Sequence, residues 1–377
     1  MIWLLACGLA PTEAASTPEP VPVAERRQPT GPRGKAGLPG GGPRGPRGAG
    51  SISAVTPDPS ILAGDPVPGT TPPIDFFYAV HAHMSGEHLP YHDQGMTQLD
   101  EQRAANMLAT LDAIASTADR YGVKLTLELV SGTAKGLAEH DPGVWDRLRK
   151  GGHEIGLHTH SASRLTSTAQ VIEKATGARP TVGSGVLAWS QRSSGASAKS
   201  GIASHLGQVE ALGMTVASVN FSPGDRNNPL AESCSSFGEG NGMWSVTGNL
   251  LFPWRPSASD PCVHDPSGSL VLVDHVPMSG MLVAGRIADV LDDTSFAQLT
   301  TWFDNALTYM DLYKPEEPAA WGFVTHLTEY VPGRDATSGP DASAVAALDR
   351  FLAHVHSQQQ AGLVRYATVG EIAEKVP

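Results

Sequence analysis

The stretch GHEIGLHTHSAS, residues 152–163, places three histidines around two apolar residues. In a β-strand, successive side chains alternate between two faces. Ile155 and Leu157 then face one way and His158 faces the other, and His160 joins His158 if the strand extends two residues further. An imidazole at the carboxyl end of a strand is typical of the active sites of βα-barrels. The alternative is a surface strand whose histidines face water, so the other strand ends must decide.

Polar and ionisable residues also stand at the ends of the other predicted strands. They are His81 and His83 on the first strand, Glu128 on the second, Asn220 on the fifth, Asp274 and His275 on the sixth, and His326 on the seventh. Strand ends on one side of a barrel converge, so residues far apart in the sequence can share a pocket. The pattern predicts a common metal or catalytic site.

Imidazoles combined with a carboxylate suit a divalent metal, Zn²⁺ above all, with an open position for water. The candidate metal ligands are His81, His83, His158 and His160. Such a metal would polarise a substrate carbonyl and lower the pKa of its water. Asp274 is the first candidate for the base that takes the proton of this water, because it ends the apolar run LVLVDH; the alternative is that Asp274 caps the following turn. Glu128 is the second candidate base, and His326 could protonate the leaving group.

From Ile74 onward, β-rich runs alternate with helical patterns, which is the signature of βαβ units and a parallel sheet. Helices are predicted over 99–122, 142–150, 166–177, 202–213, 295–313 and 344–362 and again at the end of LVRYATVGEIAEKV, and eight strands precede or separate them. The predicted fold is therefore α/β: a (β/α) barrel of seven to eight strands, complete or slightly distorted.

Residues 1–73 differ in composition from the rest of the chain. Residues 8–73 are dominated by Pro, Gly, Ala, Ser and Thr, which cannot bury enough surface to offset chain entropy. Glycine recurs at nearly every third position over 31–48, but such short, interrupted triplets favour an extended basic linker over a collagen helix. The predicted organisation is a linker over 1–73 and one barrel domain over 74–377.

Charge and the first residues of the chain bear on its partners and location. The net charge of −12 argues against nucleic acid as a partner. The apolar start is too short to span a bilayer, but LLAC at 4–7 resembles a bacterial lipobox, in which the cysteine becomes lipidated. We therefore expect export to the bacterial cell envelope, with Cys7 as the only membrane anchor; a chance apolar start is the alternative. Oligomeric state is left open.

The segment 222–268 breaks the rhythm of strands and helices and contains Cys234 and Cys262. Long loops in compact domains are usually lids or binding loops. In an oxidising compartment the two cysteines would form a disulfide that clamps this loop beside the pocket and stabilises it by about 3 kcal/mol. Two reduced thiols fit only a cytosolic protein.

The motif GHEIGLHTHS resembles the second signature of the polysaccharide deacetylase family. Weaker similarity in the same order covers most of 74–377, in ATGARPTVGSG, GFVTHL and FLAHVHSQQQAGLVRYATVGEIA. The resemblance implies a (β/α) barrel, usually seven-stranded and distorted. It also implies a divalent metal, a carbohydrate substrate and removal of acyl groups from amino sugars.

The sequence departs from that family at several site positions. Ala82 and His83 stand where the resemblance implies a base aspartate and a metal-binding aspartate, and Ala162 replaces the second metal histidine. The arginine that orients the base falls near Ser184. The family resemblance therefore predicts the fold and the pocket of this chain better than it predicts the reaction. A three-histidine metal site remains available from His83, His158 and His160, with His81 able to replace any of them.

Two alternative functions remain. A retaining glycoside hydrolase on a related barrel would need two carboxylates about 5–5.5 Å apart, and Glu128 with Asp274 is the pair that could supply them. A non-catalytic glycan-binding envelope protein would instead use the pocket as a binding site. Trp189, Trp244 and Trp254 would offer stacking surfaces there, although isolated tryptophans more often pack in the core.

Overall fold

The computed structural model describes the chain over residues 62, 65–82, 101–159, 162–185, 196–219, 244–261, 263–277, 291–332 and 337–377. The strands in these ranges are β1 Ile74–Ala82, β2 Leu125–Leu129, β3 Glu154–His158, β4 Val182–Ser184, β5 Val216–Val219, β6 Val271–Asp274, β7 Val276–Pro277, β8 Ala320–His326 and β9 Val364–Tyr366. The α-helices are α1 Glu101–Tyr121, α2 Ser131–His140, α3 Val144–Lys150, α4 Leu165–Thr176, α5 Ala196–Ala211, α6 Trp244–Thr247, α7 Asp293–Tyr313, α8 Ala342–Gln360 and α9 Val369–Ala373. Short 3₁₀ turns occupy Ala162–Arg164 and Leu327–Tyr330.

The strands form a parallel barrel that one interrupted strand closes. The sheet runs in the order β6, β5, β4, β3, β2, β1, β8, β7. Strands β6 and β7 are separated by His275 alone; β6 pairs with β5 and β7 pairs with β8. The two short strands therefore act as one interrupted strand of the barrel wall. The wall has seven strands, which confirms the lower end of the predicted number.

The eighth predicted strand has a different place from the one expected. Strand β9 pairs with the first residues of β1, Ile74–Phe76, whereas β2 pairs with β1 only from Tyr78 onward. Because β9 pairs with the part of β1 that precedes the pairing with β2, it extends the amino end of the barrel and is not an eighth strand of the barrel wall.

The barrel has an apolar outer layer and a separate inner core. The outward side chains of β1, β2 and β8, such as Phe76, Leu127 and Trp321, pack against the helices in one large cluster. The inward side chains form a second cluster with α9 and the residues around it. Its members are Phe77, Val182, Val216, Val271, Val273, Ala320, Ala367, Val369, Ile372, Ala373 and Val376. Helix α9 therefore closes the amino end of the barrel.

The helices begin and end where local chemistry dictates. Helix α1 buries Met107, Leu111 and Ile114, which recur at helical spacing, and it stops before Gly122 at φ +75°. Asp292 caps α7 by accepting a hydrogen bond from the backbone N–H of Ser295, and Asp341 caps α8 in the same way. None of the helices in the described ranges has the length and hydropathy needed to cross a bilayer.

Two elements differ from expectation. Helix α2 was not predicted, because its sequence SGTAKGLAEH alternates small and polar residues without a clear apolar stripe. The described part of the 222–268 segment is packed against the barrel: Val246 and Leu251 are buried, and Trp254 forms an antiparallel bridge with Leu272. Cys234 and Cys262 lie outside the described residues, so the disulfide stays a prediction, as does the domain boundary at residue 74.

Candidate metal centre

Three side chains meet inside the carboxyl end of the barrel: His81 of β1, Glu128 of β2 and His158 of β3. One possible ligand atom from each lies within 4.8 Å of the other two, and all three residues are buried. His81 and Glu128 are register partners on neighbouring strands, and their Nε2 and Oε2 atoms are 2.6 Å apart. The ring centroids of His81 and His158 are 4.0 Å apart. The predicted convergence of strand ends is confirmed for these residues.

Glu128 is a fully buried carboxylate whose environment disfavours its charge. Burial raises the pKa of Glu128 to about 7, although the hydroxyls of Ser184 and Ser218 partly oppose the shift. Neither carboxylate oxygen makes a hydrogen bond of normal geometry with a described residue. An unsatisfied buried carboxylate is costly unless a ligand compensates it.

His158 is oriented by the next strand of the barrel. Its Nδ1 lies 2.8 Å from Oγ of Ser184, whose hydroxyl donates to the carbonyl oxygen of Leu157 at 3.3 Å. When the serine hydroxyl donates to that carbonyl, Nδ1 of His158 donates to the serine oxygen and Nε2 presents a lone pair. Gly185, at φ +75°, lets the chain pass over the ring, because a Cβ there would lie 2.8 Å from Cε1 of His158.

His326 of β8 lies between two other polar side chains: its ring contacts His81 on one side and Glu329 on the other. Nε2 of His326 is 3.4 Å from Nδ1 of His81. On its other side, Nδ1 of His326 is 3.0 Å from Oε1 of Glu329, and Oε2 of Glu329 accepts the backbone N–H of His326 at 2.9 Å. Both residues are buried.

His275 adds a fourth imidazole at the break between β6 and β7. Its ring lies edge-on to His81, with the centroids 6.0 Å apart. Burial lowers the pKa of His275 to about 3, so this imidazole is neutral at physiological pH. Its Nδ1 is buried and has no hydrogen-bond partner within the described residues.

The residues present fit a divalent cation. Two imidazoles and one carboxylate are a donor set that Zn²⁺ accepts, and neither oxygen of Glu128 has a hydrogen bond of normal geometry with a described residue. The second ring nitrogen of each imidazole has a hydrogen-bond partner, Ser184 for His158 and His326 for His81, which matches the outer contacts that orient metal ligands.

The structure does not bring Asp274 to this cluster. In β6, Val271 and Val273 face the barrel interior, so strand alternation turns Asp274 outward, and its register partner Val219 packs in the outer cluster. Oδ2 of Asp274 accepts the backbone N–H of Leu250 at 2.6 Å. This contact gives Asp274 a capping role, and the neighbouring His275 takes the inward position instead.

His83 and His160, the other two predicted ligands, lie outside the described residues, and His81 stands in the cluster that His83 was expected to join. Ala82, at the position where the resemblance implies a base aspartate, packs in the outer apolar cluster. Trp254 is also a packing residue, because it is buried and its Nε1 donates to the carbonyl oxygen of Pro261.

His153 and Glu154, at the start of the opening stretch, make structural contacts. Nδ1 of His153 accepts the backbone N–H of Leu125 at 3.1 Å, which ties the start of β3 to β2. Glu154 lies at the amino end of the barrel, far along β3 from His158. Gly156 leaves room beside Glu128, since a Cβ there would lie 3.4 Å from Cγ of Glu128.

Sequence reasoning missed two contributors. Glu329 carries a recognisable signal, because a Glu three residues after the last strand residue can accept that residue's backbone N–H. Ser184 carries no signal of its own, and its role depends on the pairing of β3 with β4, which makes His158 and Ser184 register partners.

Comparison with known proteins gives structural resemblance only. No protein-family model and no curated protein matches the chain. A structure from Mycobacterium smegmatis designated a polysaccharide deacetylase is 16% identical, with a TM-score of 0.49 over 85% of this chain and 94% of its own. The allantoinase PuuE is 15% identical, with a TM-score of 0.48 over 83% and 93%. A Pseudomonas aeruginosa structure, also designated a polysaccharide deacetylase, is 14% identical, with a TM-score of 0.48 over 80% and 90%.

Proposed function

We propose that the chain is a metal-dependent hydrolase that removes acyl groups from the amino sugars of a glycan. The observation that carries the proposal is the buried group of His81, Glu128 and His158 at the carboxyl end of the barrel, where barrel enzymes do their chemistry. The deacetylase-like motif GHEIGLHTHS supports the substrate class, because it supplies His158 itself.

His81, Glu128 and His158 would hold the metal, and Zn²⁺ is the ion that this donor set favours. When bound, the ion supplies Lewis acidity toward an acyl carbonyl and toward a water molecule. His83 and His160 stay proposed as further ligands. The role of Glu128 changes from candidate base to candidate ligand, because its oxygen lies 2.6 Å from the nitrogen of His81.

His326 is the group best placed to move protons. With its Nδ1 held by the carboxylate of Glu329, Nε2 would exchange its long 3.4 Å contact with His81 for an attacking water, accept the proton of that water and then pass it to the leaving amine. The carboxylate of Glu329 would hold Nδ1–H of His326 and orient the ring through both steps, as the carboxylate does in a Ser-His-Asp triad. Asp274 as the base stays a prediction that Asp274→Asn would test, and its outward position gives it no support.

The glycoside hydrolase alternative loses its nominated carboxylate pair. Glu128 faces the barrel interior, whereas Asp274 faces the outer layer and caps Leu250. The two carboxylates therefore do not face one substrate from opposite sides, as retaining hydrolysis requires.

The test begins with purified protein that is stripped of metal, loaded with zinc and analysed for bound zinc. Acetate release is then measured on acetylated amino-sugar oligomers. We expect stoichiometric zinc and turnover from the wild type, and loss of both in His158→Ala. His354→Ala is the matched control, because His354 pairs with Asp304 on the helical surface and should leave both unchanged.

Two outcomes would contradict the proposal. A wild-type chain that binds no metal after loading would exclude metal-dependent hydrolysis. Zinc binding without turnover on acylated sugars would instead favour the non-catalytic glycan-binding protein.

We also propose that the protein is exported and anchored at the cell envelope through Cys7. The LLAC pattern at 4–7 is the support for this proposal. Metabolic labelling with a fatty acid should mark the wild-type chain and not Cys7→Ser; equal labelling of both would contradict it.

A further inference from the structure

We infer that Glu329 is a positioning residue: it holds the proton of His326 on Nδ1, so that His81 can carry its own proton on Nδ1 and offer Nε2 to a cation. That the cation is a catalytic metal ion rests on the proposed function. The assignment of the His326 proton to Nδ1 rests on hydrogen-bond geometry and does not depend on that function.

The first step is the contact between Glu329 and His326. One carboxylate receives both the backbone N–H of His326, at 2.9 Å, and its ring Nδ1, at 3.0 Å. Two bonds from one buried group fix the plane of the ring. Because an ionised carboxylate only accepts hydrogen bonds, Nδ1 of the neutral ring must carry the proton, and Nε2 is left with its lone pair.

The second step is proton counting along a chain of four groups. Glu329, His326, His81 and Glu128 follow one another through three contacts, at 3.0, 3.4 and 2.6 Å. Each contact needs one proton, but when Glu128 and Glu329 are both ionised the two neutral imidazoles carry only two. With the Glu329 contact occupied, the other proton can lie between the two rings, and the short His81–Glu128 contact is then the one left to a cation.

The third step is what a glutamine would do in place of Glu329. The backbone N–H of His326 can only donate, so the amide oxygen of the glutamine must face it. The amide NH₂ then faces Nδ1 of the ring, which has to become an acceptor, and the proton of His326 moves to Nε2. His81 is thereby forced to accept on Nδ1 and to carry its proton on Nε2, which blocks the nitrogen that faces Glu128.

The chain contains a matched control for this substitution. Glu371 has the same local role in α9, because its Oε2 accepts the backbone N–H of Thr368 at 2.9 Å. It has no imidazole in this contact and lies at the amino end of the barrel. A purely capping role for Glu329 predicts that Glu329→Gln and Glu371→Gln behave alike.

The experiment measures histidine tautomers and zinc affinity. In metal-free protein labelled with ¹⁵N-histidine, two-bond ¹H–¹⁵N correlation spectra at pH 8 should show His326 protonated on Nδ1 in the wild type and on Nε2 in Glu329→Gln. Zinc affinity should fall about 10–100-fold in Glu329→Gln, which is the usual loss when a hydrogen-bonding partner that orients a metal ligand is replaced. It should stay unchanged in Glu371→Gln.

The two readouts separate this inference from the proposed function. A wild-type His326 protonated on Nε2, or the same tautomer in wild type and Glu329→Gln, overturns the inference. The wild-type spectrum alone decides if Glu329→Gln does not fold. A wild-type chain that shows the expected tautomer but binds no zinc counts against the proposed function and leaves the positioning of His326 by Glu329 supported.

Discussion

Both ends of this barrel contain carboxylates at inward strand positions, and the two ends differ in the partners that these carboxylates have. At the amino end, Glu154 accepts hydrogen bonds from the hydroxyl of Thr126 and from the backbone N–H of Gly370, each at 3.0 Å. Asp75 receives Nε of Arg365 at 3.0 Å and Nζ of Lys375 at 2.8 Å, both on Oδ1. These carboxylates tie β9 and α9 to the barrel.

At the carboxyl end, Glu128 is fully buried, whereas Glu154 is half-buried, and neither oxygen of Glu128 has a hydrogen bond of normal geometry with a described residue. The close contact of Glu128 is Nε2 of His81, and the rings of two further histidines, His158 and His326, lie beside the ring of His81. A satisfied buried carboxylate stabilises the fold, whereas an unsatisfied one among imidazoles costs stability and is retained where a ligand repays it. The comparison indicates that the amino end is structural and the carboxyl end is functional.

The largest expected effect is on metal binding by the carboxyl end. Glu128→Ala should reduce turnover by about 10²-fold or more and abolish stoichiometric zinc, because it removes the charged ligand of the proposed site. Glu154→Ala should leave zinc affinity per folded molecule unchanged. Calorimetric zinc titration of both variants checks this, and equal losses in the two would break the comparison.

The second effect is a pH dependence of stability in the metal-free protein. The pKa of Glu128 is raised by burial from 4.5 to about 7 in the folded state. Below pH 4.5 the group is neutral in both states and costs nothing. As the pH rises from 4.5 to 7, the carboxyl group ionises in the unfolded state but not in the folded state, so wild-type stability should fall relative to Glu128→Gln by up to about 3 kcal/mol and level off above pH 7.

Denaturant unfolding of the two proteins between pH 4.5 and 8, in the presence of a chelator, measures this difference. A gap that is constant with pH would mean that Glu128 is compensated in the free protein. Zinc should raise the stability of the wild type and leave that of Glu128→Gln nearly unchanged.

The third effect is on the stability of the amino end. Glu154→Ala should lower the free energy of unfolding by about 2 kcal/mol, because the buried N–H of Gly370 and the hydroxyl of Thr126 lose their acceptor. Glu154→Gln keeps one accepting oxygen and should cost less. Urea unfolding checks both; a Glu154→Ala variant as stable as the wild type would remove the structural role assigned to this end.

The smallest effect concerns Asp75. Asp75→Asn should cost about 1 kcal/mol, because the side chains of Arg365 and Lys375 are 52% and 37% exposed and can return to water. The loss should shrink in high salt, where exposed charges are screened. Unfolding at low and high ionic strength measures it, and a salt-independent loss of several kcal/mol would contradict the assignment.

How far the sequence could predict the site depended on the pattern of each strand. In β2, LTLEL alternates apolar and polar residues, so the inward position of Glu128 follows from the sequence alone. The run LVLVDH is apolar on both faces, so alternation could not say whether Asp274 or His275 faces the interior. Pairing with β5 settles it, and His275 is the inward residue.

By itself, the sequence of this protein determined the alternation of strands and helices, the parallel barrel, and the meeting of His81, Glu128, His158 and His326 at one end. These follow from local periodicity and from the rule that parallel strand ends converge. Tertiary structure decided the closure by β6 and β7, the outward turn of Asp274, and the partners Ser184 and Glu329. Those features depend on register, burial and contacts between side chains, which form only when distant strands pair and exclude water from the space between them.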